Sequence, residues 1–217
     1  MGLPRRFLLM AWLLPGLAAS VPARAAPDTR AWRLQAGDGS LQLLDGDGRV
    51  RKSWPARSAD GRRSGQPASL MRAEARRSLV VSFDALPELW EISLDPQAED
   101  LYQGLVHDFR MGEGVPEPGF LGVRRTRLPV PLPQAVLDGS GSWLLGRAAD
   151  EGGRAVLHLV HLDVRRSVRR FEVAADPDMA GARHGFHHGR PVILLPDRRG
   201  GPGLRVDPDA LTIAADD

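Results

Sequence analysis

Cysteine is absent from the 217 residues of the chain. This absence excludes a disulfide framework, a thiolate nucleophile, a Cys-ligated zinc site and the C-x-x-C-H attachment of a c-type haem. Lysine is nearly absent too, since Lys52 is the only one among 29 basic residues. We interpret this excess of arginine over lysine as coding bias rather than as a functional requirement for guanidinium groups. Without disulfides, the stability of the chain must come from an apolar core.

The apolar run near the N-terminus, Phe7–Ala19, is shorter than the roughly 20 residues that a membrane-spanning helix needs. Basic Arg5-Arg6 precede this run, and Ala23-Arg-Ala25 follows it as an A-x-A cleavage site. We therefore interpret residues 1–25 as a cleaved signal peptide rather than an anchor. Residues 26–217 form the mature domain, which is predicted to be secreted to the periplasm without a membrane span.

The mature chain has no strong net charge of either sign. Removal of Arg5, Arg6 and Arg24 with the signal leaves 26 basic residues against 27 acidic ones. A nucleic-acid-binding domain normally carries a clear basic excess. The composition therefore predicts no nucleic-acid partner.

A sustained helical period with caps is also missing, while 18 prolines and 24 glycines are spread along the chain. Short apolar stretches between turn residues favour strands. The clearest hairpin is Leu41–Leu44, the turn Asp45-Gly-Asp-Gly48 and a second strand over Arg49–Trp54. The Asp-Gly-Asp-Gly run also resembles part of a calcium loop. Because it lacks the acid at the twelfth position and the flanking helices, a plain turn is favoured.

A unit of apolar strand, turn and second strand ending in aspartate recurs along the chain. The strand-ending aspartates are separated by 50, 68 and 44 residues, and they are Asp45, Asp95, Asp163 and Asp207. Subtracting an insertion of roughly 20 residues after Asp95 gives a period near the 40–50 residues of propeller blades. We predict an all-β, β-propeller-like array of antiparallel sheets with about four blades. A β-sandwich with long loops is the alternative. The last unit stops at Leu211–Asp217 without its outer strands, so the propeller looks incomplete.

The most highly charged loop lies between Asp95 and the strand near Arg127. It places His107, Arg110, Arg124 and Arg125 among glycines and prolines. A charged loop held by a strand is a common position for functional residues. In a loop, Asp108 could orient the His107 ring as a base or a metal ligand. The competing interpretation is a structural histidine at a strand end.

Two further groups of histidines occur in the sequence. The run Arg183-His184-Gly-Phe-His187-His188 is the densest, but its spacing gives no ligand geometry, and we interpret it as an exposed turn. His158 and His161 stand three apart on a predicted strand. They are expected to face opposite sides of the sheet and to form no shared site.

Four strings together resemble secreted proteins related to the d1-haem domain of cytochrome cd1 nitrite reductase. They are Leu86–Pro96, Val106–Arg110, Pro118–Arg125 and His161–Arg166. The resemblance covers roughly residues 38–210. It implies a periplasmic eight-bladed propeller with a tetrapyrrole in its central channel. The mature chain is about half the length of such a ring.

The resemblance implies a role for each residue of the charged loop. His107 would be the ligand of the haem iron, and Arg110, Arg124 and Arg125 would bind the cofactor, a d1-type haem. The function implied is a binding or assembly protein that holds this haem or assists its maturation. The alternatives are an enzyme acting on a tetrapyrrole with His107 as acid or base, and a truncated copy without ligand. The last would act as a protein-interaction module, its open edges covered by a partner or by self-association.

Overall fold

A computed structural model describes residues 28–101 and 117–216 of the chain. Within these two ranges β-strands dominate, and the single helical element is a 3-10 turn at Glu74–Arg76. No helix in these ranges has the length and apolar character that crossing a membrane requires. The prediction of an all-β chain is confirmed.

The strands form four antiparallel sheets, and each sheet is built from consecutive strands. Sheet 1 contains β1 (Arg33–Gly37), β2 (Ser40–Leu44) and β3 (Val50–Pro55). Sheet 2 contains β4 (Pro67–Ala73), β5 (Ser78–Phe83), β6 (Glu88–Ser93) and β7 (Val123–Arg127). Sheet 3 contains β8 (Gln134–Leu137), β9 (Trp143–Ala149), β10 (Ala155–His161) and β11 (Arg166–Glu172). Sheet 4 contains β12 (Arg183–His187), β13 (Arg190–Leu195), β14 (Gly203–Asp207) and β15 (Thr212–Asp216).

The turn predicted at Asp45 is present and follows from its side-chain chemistry. Oδ1 of Asp45 accepts hydrogen bonds from the backbone N–H groups of Asp47 at 3.0 Å and Arg49 at 2.9 Å. Gly48 has a φ of +79°, a conformation that favours glycine. The Asp-Gly-Asp-Gly run therefore closes the β2–β3 hairpin, as expected for a plain turn.

Apolar side chains fill the interfaces between neighbouring sheets. Leu43 of sheet 1 packs with Trp90 of sheet 2, and both are completely buried. Corresponding clusters join sheet 2 to sheet 3 and sheet 3 to sheet 4. Burying one large apolar side chain stabilises the fold by about 1.5–3 kcal/mol. These three interfaces supply the stability that disulfides give to many exported proteins.

The first strand of each sheet lies on the inside of the array. β4 contacts β1 on one side and β8 on the other, so the sheets approach one another at their first strands. This is the arrangement of propeller blades. Sheet 1 is not packed against sheet 4 within the described residues, so the array is an open arc of four blades. We call β1, β4, β8 and β12 the inner strands.

One expectation about the last blade was wrong. The sequence after Leu211 was read as ending without outer strands, but β15 over Thr212–Asp216 completes a four-stranded sheet. Sheet 1, with three strands, is the smallest sheet in the described part of the chain. A short segment rich in small residues pairs as a strand because Gly203 to Asp207 gives it a complete partner.

The face of sheet 1 that points away from sheet 2 is polar. Leu34 and Leu43 point into the apolar cluster, so alternation sends Arg33, Gln35 and Gln42 to the opposite face. Arg33 and Gln35 are exposed.

The corresponding face of sheet 4 carries ion pairs. Ile193 points toward sheet 3, which sends Arg190, Arg205 and their partners to the other face. Arg190 Nη2 lies 3.1 Å from Asp207 Oδ2, and Arg205 Nη1 lies 3.6 Å from Asp216 Oδ1. Both end faces of the arc are therefore polar or charged, unlike the three apolar interfaces between its sheets.

Candidate functional site at the inner edge of the arc

Hydrogen bonds join the inner strands into a continuous edge. Ser69 Oγ in β4 donates to the carbonyl of Pro133 at 3.2 Å and accepts from the N–H of Ala135 in β8 at 3.0 Å. The Arg72 guanidinium in β4 donates to the carbonyls of Trp32 at 2.8 Å and Thr29 at 3.0 Å, just before β1. Side chains of β4 thus fix its position relative to both neighbouring sheets.

The histidine-rich run lies on the inner strand of sheet 4. His184 and His187 belong to β12, and only His188 lies in the turn that follows. The reading of this run as an exposed turn was therefore wrong for most of its length. Alternation of side chains before the His188-Gly189 turn is the sequence signal that indicates a strand here.

Side chains of β12 form the most exposed part of the inner edge. His184 Nε2 lies 2.8 Å from the carbonyl oxygen of Leu137 in β8, which ties sheet 4 to sheet 3. Phe186 is 81% exposed, the largest exposed fraction among the large apolar side chains described. The rings of His187 and His188 have centroids 4.0 Å apart. Loss of solvation, with the neighbouring Arg205, lowers the pKa of His187.

These histidines do not form a metal centre. Within the described ranges, no group of three or more His, Cys, Asp or Glu side chains has the geometry to hold a metal ion. Phe186 and His184 share the face of β12 that points toward sheet 3, and the exposed Arg183 and His187 lie on the other face. The exposed ring offers a flat apolar surface at this edge, and Arg183 offers a cation beside the strand.

The structure places Arg124 and Arg125 on β7, the outer strand of sheet 2. They point to opposite faces of the sheet because they are adjacent in a strand. The side chain of Arg124 is exposed and makes no hydrogen bond or ion pair within the described residues. Arg125 Nη1 donates to the carbonyl of Arg57 at 2.8 Å and to Glu88 Oε2 at 3.1 Å. Its guanidinium also lies 4.2 Å from the ring centroid of Trp90.

His107 and Arg110 lie outside the described residues, so the structure does not place them. The insertion that contains them leaves sheet 2 between β6 and β7. Its described ends are held together, because the backbone groups of Leu101 and Glu117 exchange hydrogen bonds of 2.8 and 2.9 Å. Thr29 Oγ1 donates to the carbonyl of Leu94 at 3.4 Å, which places the start of the insertion beside the segment before β1.

Sequence reasoning missed a polar network between sheets 2 and 3. The Arg76 guanidinium donates to both carboxylate oxygens of Glu91, at 2.8 and 3.2 Å, and to Asp163 Oδ1 at 2.5 Å. Ser78 Oγ donates to Glu91 Oε1 at 2.9 Å. Hydrogen bonding to Glu91 is the main reason that the pKa of Arg76 is raised further above its usual value. The signal in the sequence was Glu91, one of the two acids, with Glu88, in the buried strand β6.

The fold is shared with solved propeller proteins. No family model matches the chain, and no curated protein sequence matches it. Dihydro-heme d1 dehydrogenase NirN, solved in complex with DHE, is 21% identical with a TM-score of 0.65. That alignment covers 86% of this chain and 35% of NirN.

AztD from Citrobacter koseri is a second structural neighbour. Its apo structure is 10% identical with a TM-score of 0.50, and another crystal structure is 11% identical with a TM-score of 0.51. Each alignment covers 86% of this chain, and 43% or 44% of AztD respectively. The chain therefore spans about a third of NirN and less than half of AztD.

These likenesses define the class of fold as an array of propeller blades. The predicted relationship to d1-type propellers is confirmed at the level of the fold, through NirN.

Proposed function

We propose that the chain is an exported propeller-type binding protein that holds a tetrapyrrole of the d1-haem class or assists its maturation. The observation that carries the proposal is the open inner edge, where the Phe186 ring is 81% exposed. Covering this ring with the flat face of a ligand would remove apolar surface from water, which favours binding. The fold shared with NirN, a protein solved in complex with DHE, supports the choice of ligand class.

The described residues fit part of this ligand. The side chain of Arg183, on the inner strand β12, is exposed and makes no hydrogen bond or ion pair within the described ranges. It is therefore available for a carboxylate of a tetrapyrrole at the inner edge, which binds best through charge-assisted hydrogen bonds. The side chain of Arg124 is also exposed, but it lies on the outer strand β7 of sheet 2, away from that edge. Arg125 fits less well, because it would have to leave Glu88 and the carbonyl of Arg57 to reach a ligand.

The iron ligand in this proposal is His107, with Arg110 as a further carboxylate partner. Imidazole nitrogen is a strong ligand for haem iron, and the chain has no cysteine thiolate that could take its place. A bound haem would supply redox and ligand-binding chemistry at its iron. The roles of Arg110 and Arg125 stay predictions alongside that of His107.

Titration with haem tests this proposal. We expect wild type to bind haem with a shifted Soret band, and the His107→Ala variant to lose that shift and bind at least tenfold more weakly. His161→Ala is the matched control, because its ring packs 4.3 Å from the Trp143 ring, away from the inner edge. Phe186→Ala should weaken binding without changing the iron ligand. Equal spectra and affinities for wild type and His107→Ala would refute the role of His107.

A further inference from the structure

Sheet 1 has three strands, whereas sheets 2, 3 and 4 have four each. In the complete sheets, the last strand leads directly into the first strand of the next sheet, since β7 precedes β8 and β11 precedes β12. By the same order β3, which precedes β4, corresponds to the last strand of a sheet. Sheet 1 therefore contains the equivalents of the second, third and fourth strands, and its first strand is missing from the described residues.

The first strands of sheets 2 and 3 run in the same direction. Ser69 Oγ, near the start of β4, accepts a hydrogen bond from the N–H of Ala135, near the start of β8, at 3.0 Å. At the other end, Gly141 in the turn after β8 lies beside Ala73, the last residue of β4. The first strand of a complete sheet thus has a defined direction in this arc.

β1 runs in the opposite direction to β4. Arg72, toward the end of β4, donates to the carbonyl of Trp32, just before β1 begins. Beyond the end of β1, the carbonyl of Gly39 accepts from the N–H of Ala56, and the carbonyl of Ala56 accepts from Gly65, just before β4 begins. In a sheet of antiparallel strands, the reversed direction is that of the second strand. Strand direction and chain order therefore agree that the first strand of sheet 1 is missing from the described residues.

The missing strand leaves apolar side chains uncovered between sheets 1 and 2, and we call this space the strand gap. Leu70 of β4 pairs with Val81, which packs in the cluster between these sheets, so Leu70 points to the same side. Leu70 is nevertheless 40% exposed. Ala36, two residues after Leu34 on the face of β1 toward sheet 2, is exposed too. On the other face of β4, where β8 is present, Ala73 is buried.

The backbone edge of β1 at the strand gap is free. Residues Arg33–Gly37 pair with β2 on one side, and their backbone groups make no other hydrogen bond within residues 28–101 and 117–216. An antiparallel strand at this edge would satisfy the open groups. The first strands of the complete sheets are four to seven residues long, so a short extended segment fills the strand gap.

The two faces of such a segment would meet different chemistry. Side chains that point toward sheet 2 would lie against Leu70 and Ala36. Side chains on the opposite face would lie beside Arg33, which is exposed and makes no hydrogen bond or ion pair within the described part of the chain. A segment that alternates apolar and acidic residues is complementary to both faces.

The sequence just before β1 does not have this pattern. Chain order would place the first strand of sheet 1 directly before Asp28. Residues 1–27 contain no acidic residue to pair with Arg33. A mature chain that begins at Ala26 keeps only Ala26 and Pro27 of them, which is shorter than β8 with its four residues. The charge of the strand gap therefore points to a different polypeptide.

We infer that the strand gap binds an extended segment of a partner protein, which becomes the first strand of sheet 1. The segment runs antiparallel to β1, with apolar side chains toward Leu70 and acidic side chains beside Arg33. Main-chain hydrogen bonds to a sheet edge supply the affinity in this mode of recognition, and alternate side chains supply the specificity. The strand gap lies on sheet 1, whereas Phe186 lies on sheet 4, so the inference goes beyond the tetrapyrrole proposal and does not depend on it.

Fluorescence anisotropy with labelled peptides tests the pattern on the mature chain. The probe is Thr-Val-Glu-Val-Glu-Val-Thr, and it is compared with a peptide that has lysine at both glutamate positions and with one that has proline at the central valine. We expect the glutamate peptide to bind most tightly. The proline peptide should bind at least tenfold more weakly, because proline lacks the N–H that pairs with a sheet edge. Arg33→Glu should reverse the preference between the glutamate and lysine peptides.

A matched pair of variants locates the binding. Leu70→Ser should weaken binding of the glutamate peptide by at least tenfold, because the peptide loses its apolar contact in the strand gap. The control Val164→Ser removes a side chain that is 54% exposed from the turn between β10 and β11, and it should leave affinity unchanged. Equal affinities in the two variants, or a glutamate peptide that binds no more tightly than the lysine peptide, would overturn the inference.

A fusion tests the strand gap without depending on the affinity of a free peptide. The glutamate peptide is placed directly before Asp28, where chain order puts the first strand, so that its effective concentration is high. Exchange of the β1 amides that do not pair with β2 should slow at least tenfold relative to the unfused chain, and the proline version should show no such slowing. Equal exchange in the two fusions would overturn the inference. So would a dimer that Leu70→Ser abolishes, since a second copy would then fill the strand gap.

Discussion

Glu88 Oε2 accepts a hydrogen bond from the indole Nε1 of Trp90 at 2.9 Å, although both residues are buried. The same oxygen receives Arg125 Nη1 at 3.1 Å, and Oε1 receives the N–H of Ala59. One carboxylate therefore joins β6, β7 and the loop after β3. A buried charge is tolerated here because three donors satisfy it.

Replacing Glu88 with alanine should destabilise the fold by about 3 kcal/mol. The loss leaves the guanidinium of Arg125 and the indole N–H of Trp90 without their shared acceptor. Urea unfolding followed by tryptophan fluorescence measures the change. Glu74→Ala is the control, because that exposed carboxylate pairs with Arg72 at the surface. It should cost less than about 1 kcal/mol, and equal losses in the two variants would contradict the role given to Glu88.

The two acids of the network between sheets 2 and 3 should contribute unequally to the stability of the fold. Glu91→Ala should lower the free energy of unfolding by about 2–3 kcal/mol, because the partly buried Arg76 and the hydroxyl of Ser78 lose their hydrogen-bond acceptor. Asp163 is half exposed, so Asp163→Asn should cost less than about 1 kcal/mol. The free energies of unfolding from urea titrations decide the matter. A larger loss for Asp163→Asn would mean that the surface acid holds the two sheets together.

Stability should fall as the pH drops below the ordinary pKa of histidine. Burial, with a smaller effect from Arg170, holds the pKa of His158 below its usual 6.5 in the folded chain. The unfolded chain therefore takes up a proton near that pH that the folded chain does not, and stability is lost as the pH falls. His158→Leu should remove this component. Urea midpoints measured from pH 7.5 down to about pH 5 would test it, and an identical pH dependence in the two proteins would exclude His158.

Local chemistry explains which parts of the fold the sequence predicts. The turn at Asp45 and the four repeated units follow from turn residues and apolar spacing, and the structure confirms them. His158 and His161 do point to opposite faces, as their spacing indicates: His158 is buried on the face toward sheet 2, and His161 packs on Trp143.

Contacts between blades could not be predicted in the same way. Arg76 and Asp163 are 87 residues apart, and nothing in their local sequence links them. Arg125 shows the same limit. The resemblance implies that it binds the cofactor, and that role stays a prediction, but its position over Trp90 follows from the register of β7 and could not be read from the local sequence. The histidine-rich run was taken for a turn because its strand, β12, is rich in polar residues. This strand lies in the last sheet of the arc, and few of its side chains are buried, so the sequence shows no apolar stripe there.

Export gives a separate prediction about the N-terminus. We expect the mature protein to begin at Ala26, because the basic residues, the apolar run and the A-x-A site before it have the form of a signal peptide. Mass measurement of protein from a periplasmic fraction checks this. Intact Met1 in soluble cytoplasmic protein would contradict it.

The four sheets form an open arc whose inner edge is accessible. The apolar interfaces lie within the arc, whereas its end faces carry Arg33 and Gln35 on sheet 1 and the Arg190–Asp207 ion pair on sheet 4. Pairing two arcs into a ring would bury these charges at a cost. The chemistry of the end faces thus argues against the self-association that the incomplete propeller first indicated.

Sedimentation equilibrium of the mature chain, over about a hundredfold range of concentration, tests this claim most directly. We expect the mass of a single chain throughout, since solvent satisfies both end faces. A mass that rises to that of a dimer as the concentration increases would show that the arcs close on each other, and would contradict an open inner edge.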